Sequence, residues 1–133
     1  MRKVIHSDKA PAAVGPYSQG IQIGNMIFAS GQLPLDPATG NTPGDDVVSQ
    51  TVQALENLRE VLAAAGAGFE DVVKTTVYMR DLNDFAEVNR VYGSYFNEEP
   101  PARVCIEISR MPRDVLVEID AIAILSVTHG EVK

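Results

Sequence analysis

The segment 115–125, with the sequence VLVEIDAIAIL, decides the fold. Its alternating side chains and its β-branched residues predict a β-strand. Apolar residues occupy both faces of that strand: Val115, Val117, Ile119, Ala121 and Ala123 point one way, and Leu116, Ile122 and Ile124 point the other. A strand that is apolar on both faces is expected to be covered on both sides.

Turn residues and hydrophobic periodicity divide the rest of the chain into elements. They predict further strands at 3–6, 19–23, 26–29, 72–82 and 102–108. Gly24-Asn25 predicts a hairpin turn, because both residue types tolerate positive φ. The breakers between Gln32 and Gly44 predict a loop, and a turn is expected through 111–113.

Two helices are predicted from residues that recur every three or four positions. The first runs from 46 to 65, with Asp45 as its N-cap, Gly66 just after its end, and an apolar stripe of Val48, Val52, Leu55, Leu58 and Leu62. The second begins at the cap Asn83, ends before Pro100-Pro101, and has a stripe of Phe85, Val88, Tyr92 and Tyr95.

This order of elements predicts an α+β domain with a mixed β-sheet and two helices packed on one face. Two helices cannot cover both faces of so wide a sheet, so a monomer would leave one apolar side of segment 115–125 in water. An exposed patch of that size is typical of an interface. We therefore predict a homo-oligomer.

Composition narrows the class of protein. The chain has 133 residues, 45% of them hydrophobic and 22% charged, which is typical of one soluble globular domain. A net charge of −7 disfavours nucleic-acid binding, which depends on Lys and Arg. The single Cys105 allows no internal disulfide, and His6 and His129 lie far apart, so no metal site is expected. We expect a cytoplasmic protein with no signal peptide and no membrane-spanning segment.

Charged residues inside the last two strands are the candidates for chemistry. Glu118 and Asp120 share a face with Leu116 and Ile122, and Arg103 lies in the strand before them. Half-buried charges cost free energy unless they are paired. The spacing leaves two interpretations open: a structural ion pair between Arg103 and a carboxylate at an oligomer interface, or an anion-binding arginine beside a catalytic carboxylate.

An ordered set of motifs resembles one known family along nearly the whole chain. The motifs lie at 15–19 (GPYSQ), 24–40, 71–77 (DVVKTTV), 83–89 (NDFAEVN), 101–107 and 117–123 (VEIDAIA). Together they resemble the RidA (YjgF) family of reactive-intermediate deaminases. Val104 departs from the family pattern, which usually has threonine or serine there, and we expect a packing change only.

The resemblance implies a fold, an assembly and an activity. The fold would be chorismate-mutase-like, assembled as a homotrimer with three ligand clefts between subunits. The activity would be hydrolysis of 2-enamine and 2-imine acids, such as 2-aminoacrylate, to 2-oxo acids and ammonia, without a metal or a cofactor. The resemblance also implies one domain over 1–126, followed by a C-terminal tail over 127–133.

Matching the motifs residue by residue also implies a site. Arg103 would hold the substrate carboxylate, and Glu118 would orient the attacking water. The other implied cleft residues are Tyr17, Ser30, Gly31, Asn89 and Cys105. Taken alone, each has an ordinary structural explanation: Tyr17 as a packing lid, Ser30 as a strand-end hydroxyl, Gly31 as a turn residue, Asn89 as a surface side chain, and Cys105 as a small buried hydrophobe.

Three other functions remain open at this level. A non-catalytic module could bind 2-oxo acids in the same clefts. A ribonuclease or translation inhibitor is disfavoured by the acidic charge, since the turn from Arg110 to Arg113 is the only candidate basic patch. A holdase-like chaperone would need exposed apolar surface beyond the interface.

Overall fold

A single mixed sheet of six strands forms the centre of the molecule, whose computed structural model describes residues 1–126. The strands are β1 (Arg2–Ile5), β2 (Gly20–Ile23), β3 (Met26–Gln32), β4 (Val72–Met79), β5 (Ala102–Glu107) and β6 (Val117–Ile124). Their order across the sheet is β1-β2-β3-β6-β4-β5, and only the pair β4–β5 is parallel. The predicted tail, with His129, lies outside the described residues.

The two helices are α1 (Val47–Ala64) and α2 (Phe85–Tyr95). Their buried residues join those of the strands in a single core, which includes Leu55, Leu58, Val88, Val77 and Ile119. The predicted mixed α+β architecture, with two helices on one face of the sheet, is confirmed.

The central strand β6 has the two faces that the sequence predicted. Val117, Ile119, Ala121 and Ala123 are buried beneath the helices. The intervening side chains face the other way and are half-buried or exposed. No helix among residues 1–126 covers that second face, where large apolar side chains are between 37% and 50% exposed: Ile23, Met26, Phe28, Val104, Ile106 and Ile124.

Three predicted boundaries or faces of the helices and of β4 are wrong. Asp46, not Asp45, caps α1, because its carboxylate accepts the Ser49 amide at 2.8 Å. A 3₁₀ turn over Leu82–Asp84 precedes α2, so Asn83 is not its cap. Val73 is exposed, because a register shift in β4 turns it away from the face it was predicted to share with Thr75.

The buried stripe of α1 also differs from the prediction. Val52 is exposed, whereas Gln50, Thr51 and Asn57 are buried. The two amides bind backbone groups. Asn57 Nδ2 donates to the carbonyls of Leu33 and Leu35 at 2.8 and 2.9 Å. Gln50 donates to Gly44 O and accepts from Leu116 N, both at 2.8 Å. These contacts fix the loop that leads from β3 into α1.

The replacement Asn57→Ala tests this anchoring. It would leave the buried carbonyl of Leu35 without a donor, whereas Leu33 O would keep its bond from Leu35 N, so we expect the free energy of unfolding to fall by about 1–3 kcal/mol. The control Glu60→Ala, on the same helix, should stay within about 0.5 kcal/mol of wild type in the same urea titration. Equal midpoints for the two variants would contradict the anchoring.

Candidate active site

The predicted site residues fall into two groups. Tyr17, Ser30, Gly31 and Glu118 line one cavity of about 520 Å³, together with part of the 33–35 loop and the turn at Pro112-Arg113. The second group, Arg103, Asn89 and Cys105, lies elsewhere and is not part of that cavity. A larger cavity of about 980 Å³, beside the end of α2, contains none of the predicted residues.

Gly31 lies against the Glu118 carboxylate in the first group. The register of β3 with β6 shifts between Ala29 and Gln32, which brings Gly31 beside Glu118. A Cβ at position 31 would overlap the carboxylate oxygen Oε2 and lie 2.9 Å from Cδ. Gly31 has no positive φ, so it is required for this close approach and not for a turn.

The Glu118 carboxyl is poised to hold a proton more tightly than an exposed glutamate does. Burial raises the pKa of Glu118 above its ordinary value of 4.5, and the negative charge of Asp120 raises the pKa further. Asp120 itself is fixed, because it accepts from Tyr78 Oη at 3.0 Å and from Thr76 N at 3.1 Å. The raised pKa of Glu118 brings this carboxyl closer to the range in which it can exchange protons near neutral pH.

The loop that carries Tyr17 is tied to the sheet by side chains. Buried Gln19 accepts from Ser7 N at 2.7 Å and donates to Pro11 O at 2.8 Å. Ser30 Oγ donates to Ser18 O at 2.6 Å, which uses its only hydroxyl proton. Tyr17 therefore projects from a loop that is held on both sides. Sequence reasoning missed Gln19, whose signal is an amide placed within a loop rich in Pro and Gly.

In the second group, Arg103 is held by α2, and no carboxylate within residues 1–126 pairs with it. Its Nη1 donates to Asn89 Oδ1 at 2.8 Å, and its Cζ lies 4.9 Å from the ring centroid of Tyr92. The ion pairs within residues 1–126 are His6–Asp8 and Arg59–Glu56. The predicted ion pair between Arg103 and a strand carboxylate therefore does not form within the described part of one chain, because Arg103 faces the helix and Glu118 faces the other way.

Cys105 lies beside Arg103 and behaves as a packing residue. Its Sγ is 3.4 Å from the sulfur of buried Met79, and burial raises the pKa of the thiol above its ordinary value of 9.0. A thiol of this kind is protonated at neutral pH, so it is a poor nucleophile. Cys105 is a partly buried side chain packed against the core, which is less burial than the sequence interpretation gave it.

Strand register places the two groups on opposite faces of the sheet. Arg103 pairs across β5–β4 with Thr75, which is buried on the helix side. Glu118 pairs across β6–β4 with Tyr78, on the side without helices. Residues directly opposite each other in a sheet share a face. One chain therefore does not bring Arg103 and Glu118 together.

Metal-ligating clusters and membrane-spanning helices are two features that residues 1–126 lack. Residues 1–126 contain no cluster of three or more His, Cys, Asp or Glu side chains arranged to hold a metal ion. Within the same range, neither helix combines the length and the apolarity needed to cross a bilayer.

A comparison with protein families matches residues 7–125 to the model described as Endoribonuclease L-PSP. The chain belongs to this family. The resemblance to RidA (YjgF) proteins is confirmed, because relatives that match almost end to end carry those names. The members of this family carry names that imply different activities, so membership does not by itself fix the reaction.

Two relatives from Escherichia coli illustrate the match. The K12 protein named 2-iminobutanoate/2-iminopropanoate deaminase is 50% identical over 127 residues, covering 93% of this chain and 98% of the relative. The crystal structure of the YjgF gene product has a TM-score of 0.89 at 49% identity, covering 93% of this chain and 99% of that one.

A third relative was solved with a small ligand. The structure of E. coli TdcF with bound serine has a TM-score of 0.88 at 46% identity. It covers 93% of this chain and 99% of that chain. The family fold therefore extends over the described domain.

The replacement Gly31→Ala tests the contact with Glu118. The added methyl group overlaps the end of the flexible Glu118 side chain, which must swing aside, so we expect the free energy of unfolding to fall by about 1 kcal/mol. Shortening the partner removes the overlap, so the same change made in a Glu118→Ala background should cost less than about 0.5 kcal/mol. Chemical denaturation of all four proteins measures the coupling. An equal cost in both backgrounds would show that the two positions are independent.

Proposed function

We propose that the protein is a hydrolytic deaminase that converts 2-imino and 2-enamino acids, such as 2-iminopropanoate and its enamine 2-aminoacrylate, to 2-oxo acids and ammonia. The observation that carries this proposal is that the Arg103 guanidinium is held in place but has no charged partner within residues 1–126. The guanidinium is fixed by Asn89 and by aromatic rings, yet no carboxylate within residues 1–126 forms an ion pair with it. A fixed cation of this kind suits a carboxylate supplied by a ligand.

The chemistry follows from what each group can do. Arg103 binds the substrate carboxylate through parallel N–H···O bonds and so fixes carbon C2. The enamine tautomerises to the imine. Water held by Glu118 adds its oxygen to C2 while Glu118 takes one proton of the water, and Glu118 returns that proton to the imine nitrogen to give a neutral carbinolamine. Glu118 then takes the hydroxyl proton, the C–O bond becomes a carbonyl as the C–N bond breaks, and the nitrogen takes that second proton and leaves as ammonia.

The two halves of the site imply that two chains build it. Arg103 and Glu118 lie on opposite faces of one sheet, so a complete site joins the Arg103 group of one chain to the Glu118 cavity of another. Docking onto the uncovered sheet face would also remove its exposed apolar side chains from water, including Phe28, Ile106 and Ile124. We propose the homotrimer that the resemblance implies, with its ligand clefts between subunits.

The names of relatives support this reaction class over the alternatives. A protein 50% identical is named as the deaminase, and a relative holds serine, an amino acid of the matching size. The net charge of the chain argues against the endoribonuclease activity in the family description, since the chain carries 18 acidic and 11 basic side chains. Nucleic-acid binding relies on clustered Lys and Arg.

The variant Arg103→Ala tests the carboxylate clamp. Removing two charge-assisted hydrogen bonds should lower kcat/KM for 2-iminobutanoate, generated in situ by an amino-acid oxidase, by at least about 100-fold. Sedimentation of the same samples should show an unchanged oligomer.

A matched control for this test is Arg59→Ala. Arg59 also stacks on aromatic rings, at 5.1 Å from Phe69, but it is paired with Glu56 at 3.3 Å. We expect full activity for this variant. Retained activity in an intact Arg103→Ala oligomer would overturn the assigned site, and absence of activity in the wild type would overturn the reaction.

The pH profile tests the role of Glu118. A base must be deprotonated, so kcat/KM should fall on the acid side, as pH drops through the pKa of Glu118, which burial and Asp120 raise above 4.5. Asp120→Asn removes the neighbouring charge, lowers that pKa, and should move the acid limb to lower pH. Glu118→Gln should abolish turnover while 2-oxobutanoate still binds. Turnover by Glu118→Gln equal to wild type would instead favour a different base.

A further inference from the structure

One face of α2 forms a cradle for the Arg103 guanidinium. Phe85, Asn89 and Tyr92 are four and three residues apart, which places them on the same side of a helix. The guanidinium carbon lies 5.5 Å from the Phe85 ring centroid and 4.9 Å from that of Tyr92, and Nη1 donates to Asn89. The cation therefore has an aromatic shelf, defined here as Phe85 and Tyr92.

The Tyr92 ring is itself held in place from the sheet. Its hydroxyl shares a hydrogen bond of 2.6 Å with Thr75 Oγ1, and both residues are buried. Thr75 lies directly opposite Arg103 in the β4–β5 register. Thr75 on β4 therefore holds the Tyr92 ring, and the ring contacts the guanidinium of Arg103, which extends from the neighbouring strand β5.

We propose that Thr75 and Tyr92 are positioning residues that set the direction of the Arg103 guanidinium toward the substrate carboxylate. The inference rests on the proposed function, because it deepens the role of the same clamp. Arginine has several rotatable bonds, and ordering them on binding costs affinity. A guanidinium already stacked on the shelf has lost that freedom before the ligand arrives.

The geometry also says which donors remain for the ligand. Aromatic rings engage the face of a guanidinium, and they leave its N–H edges free. One edge nitrogen, Nη1, already donates to Asn89. The remaining edge donors lie in the plane that a carboxylate needs for two parallel hydrogen bonds. The hydrogen bond between Thr75 and Tyr92 fixes the Tyr92 ring, and it therefore controls the plane in which that carboxylate binds.

Two variants break the same hydrogen bond from opposite ends. Tyr92→Phe removes the tyrosine hydroxyl and keeps the ring, and Thr75→Val removes the threonine hydroxyl with little change of shape. The loss of one net hydrogen bond predicts a rise of about fivefold in KM for 2-iminobutanoate for either variant. Because the clamp acts on the bound carboxylate in ground state and transition state alike, kcat should stay within about twofold. The double variant should match the single ones, since both act through one bond.

Tyr95→Phe is the matched control. Tyr95 lies on α2 three residues from Tyr92, and its hydroxyl also donates a hydrogen bond, to Glu56 at 2.7 Å, near Arg59 and not near Arg103. The melting temperature of Tyr95→Phe should fall as much as that of Tyr92→Phe, but its KM should equal that of the wild type. If Tyr92→Phe and Thr75→Val lower the melting temperature but leave KM equal to that of the control, the residues are only structural and the proposal is overturned.

A binding measurement separates this proposal from the proposed function. The dissociation constant of 2-oxobutanoate should rise about fivefold in both variants, whether or not the protein turns over an imine. Binding by the wild type without hydrolysis would overturn the reaction alone, and the variant constants would then decide the positioning role. Hydrolysis with unchanged constants in the variants would overturn the positioning role alone. A wild type that neither binds nor hydrolyses would overturn both.

Discussion

Two helices can cover only one face of the six-stranded sheet, and this constraint organises the rest of the molecule. The covered face receives the large aliphatic residues of β6 and α1, and it contains the core. The other face keeps Glu118 and Asp120 beside apolar side chains that remain partly in water. Each charged group in the candidate site belongs to one of these two faces, so the coverage of the sheet determines which groups one chain can bring together.

Amide side chains hold the irregular parts of the chain against this frame. Asn57 and Gln50 pair with the backbone of the loop after β3, and Gln19 does the same for the loop that carries Tyr17. A loop over a buried surface needs partners for its carbonyls and amides. A primary amide supplies a donor and an acceptor at once without introducing a charge. The cavity around Glu118 therefore keeps its shape through these hydrogen bonds together with the apolar packing of Leu35, Met111 and Val115.

Much of the fold could be predicted from the sequence because periodicity reports burial directly. The alternation in β6, the hairpin at Gly24-Asn25 and the two helices are local patterns, and the structure contains them. The buried Asn57 was not predictable in the same way, since hydrophobic periodicity treats a polar residue as exposed. That Arg103 forms no ion pair within residues 1–126 was also not predictable from the sequence. It depends on which face of the sheet each strand presents, and strand order is set by long-range pairing.

The close approach of Gly31 to Glu118 makes the two positions depend on each other. With the carboxylate in place, no larger residue fits at position 31 without displacing it. A larger side chain there would make the flexible Glu118 side chain swing away and hold its carboxylate elsewhere in the cavity. The identity of residue 31 therefore sets where the carboxylate can lie, and a larger side chain at 31 in a relative signals that its carboxylate has moved or gone.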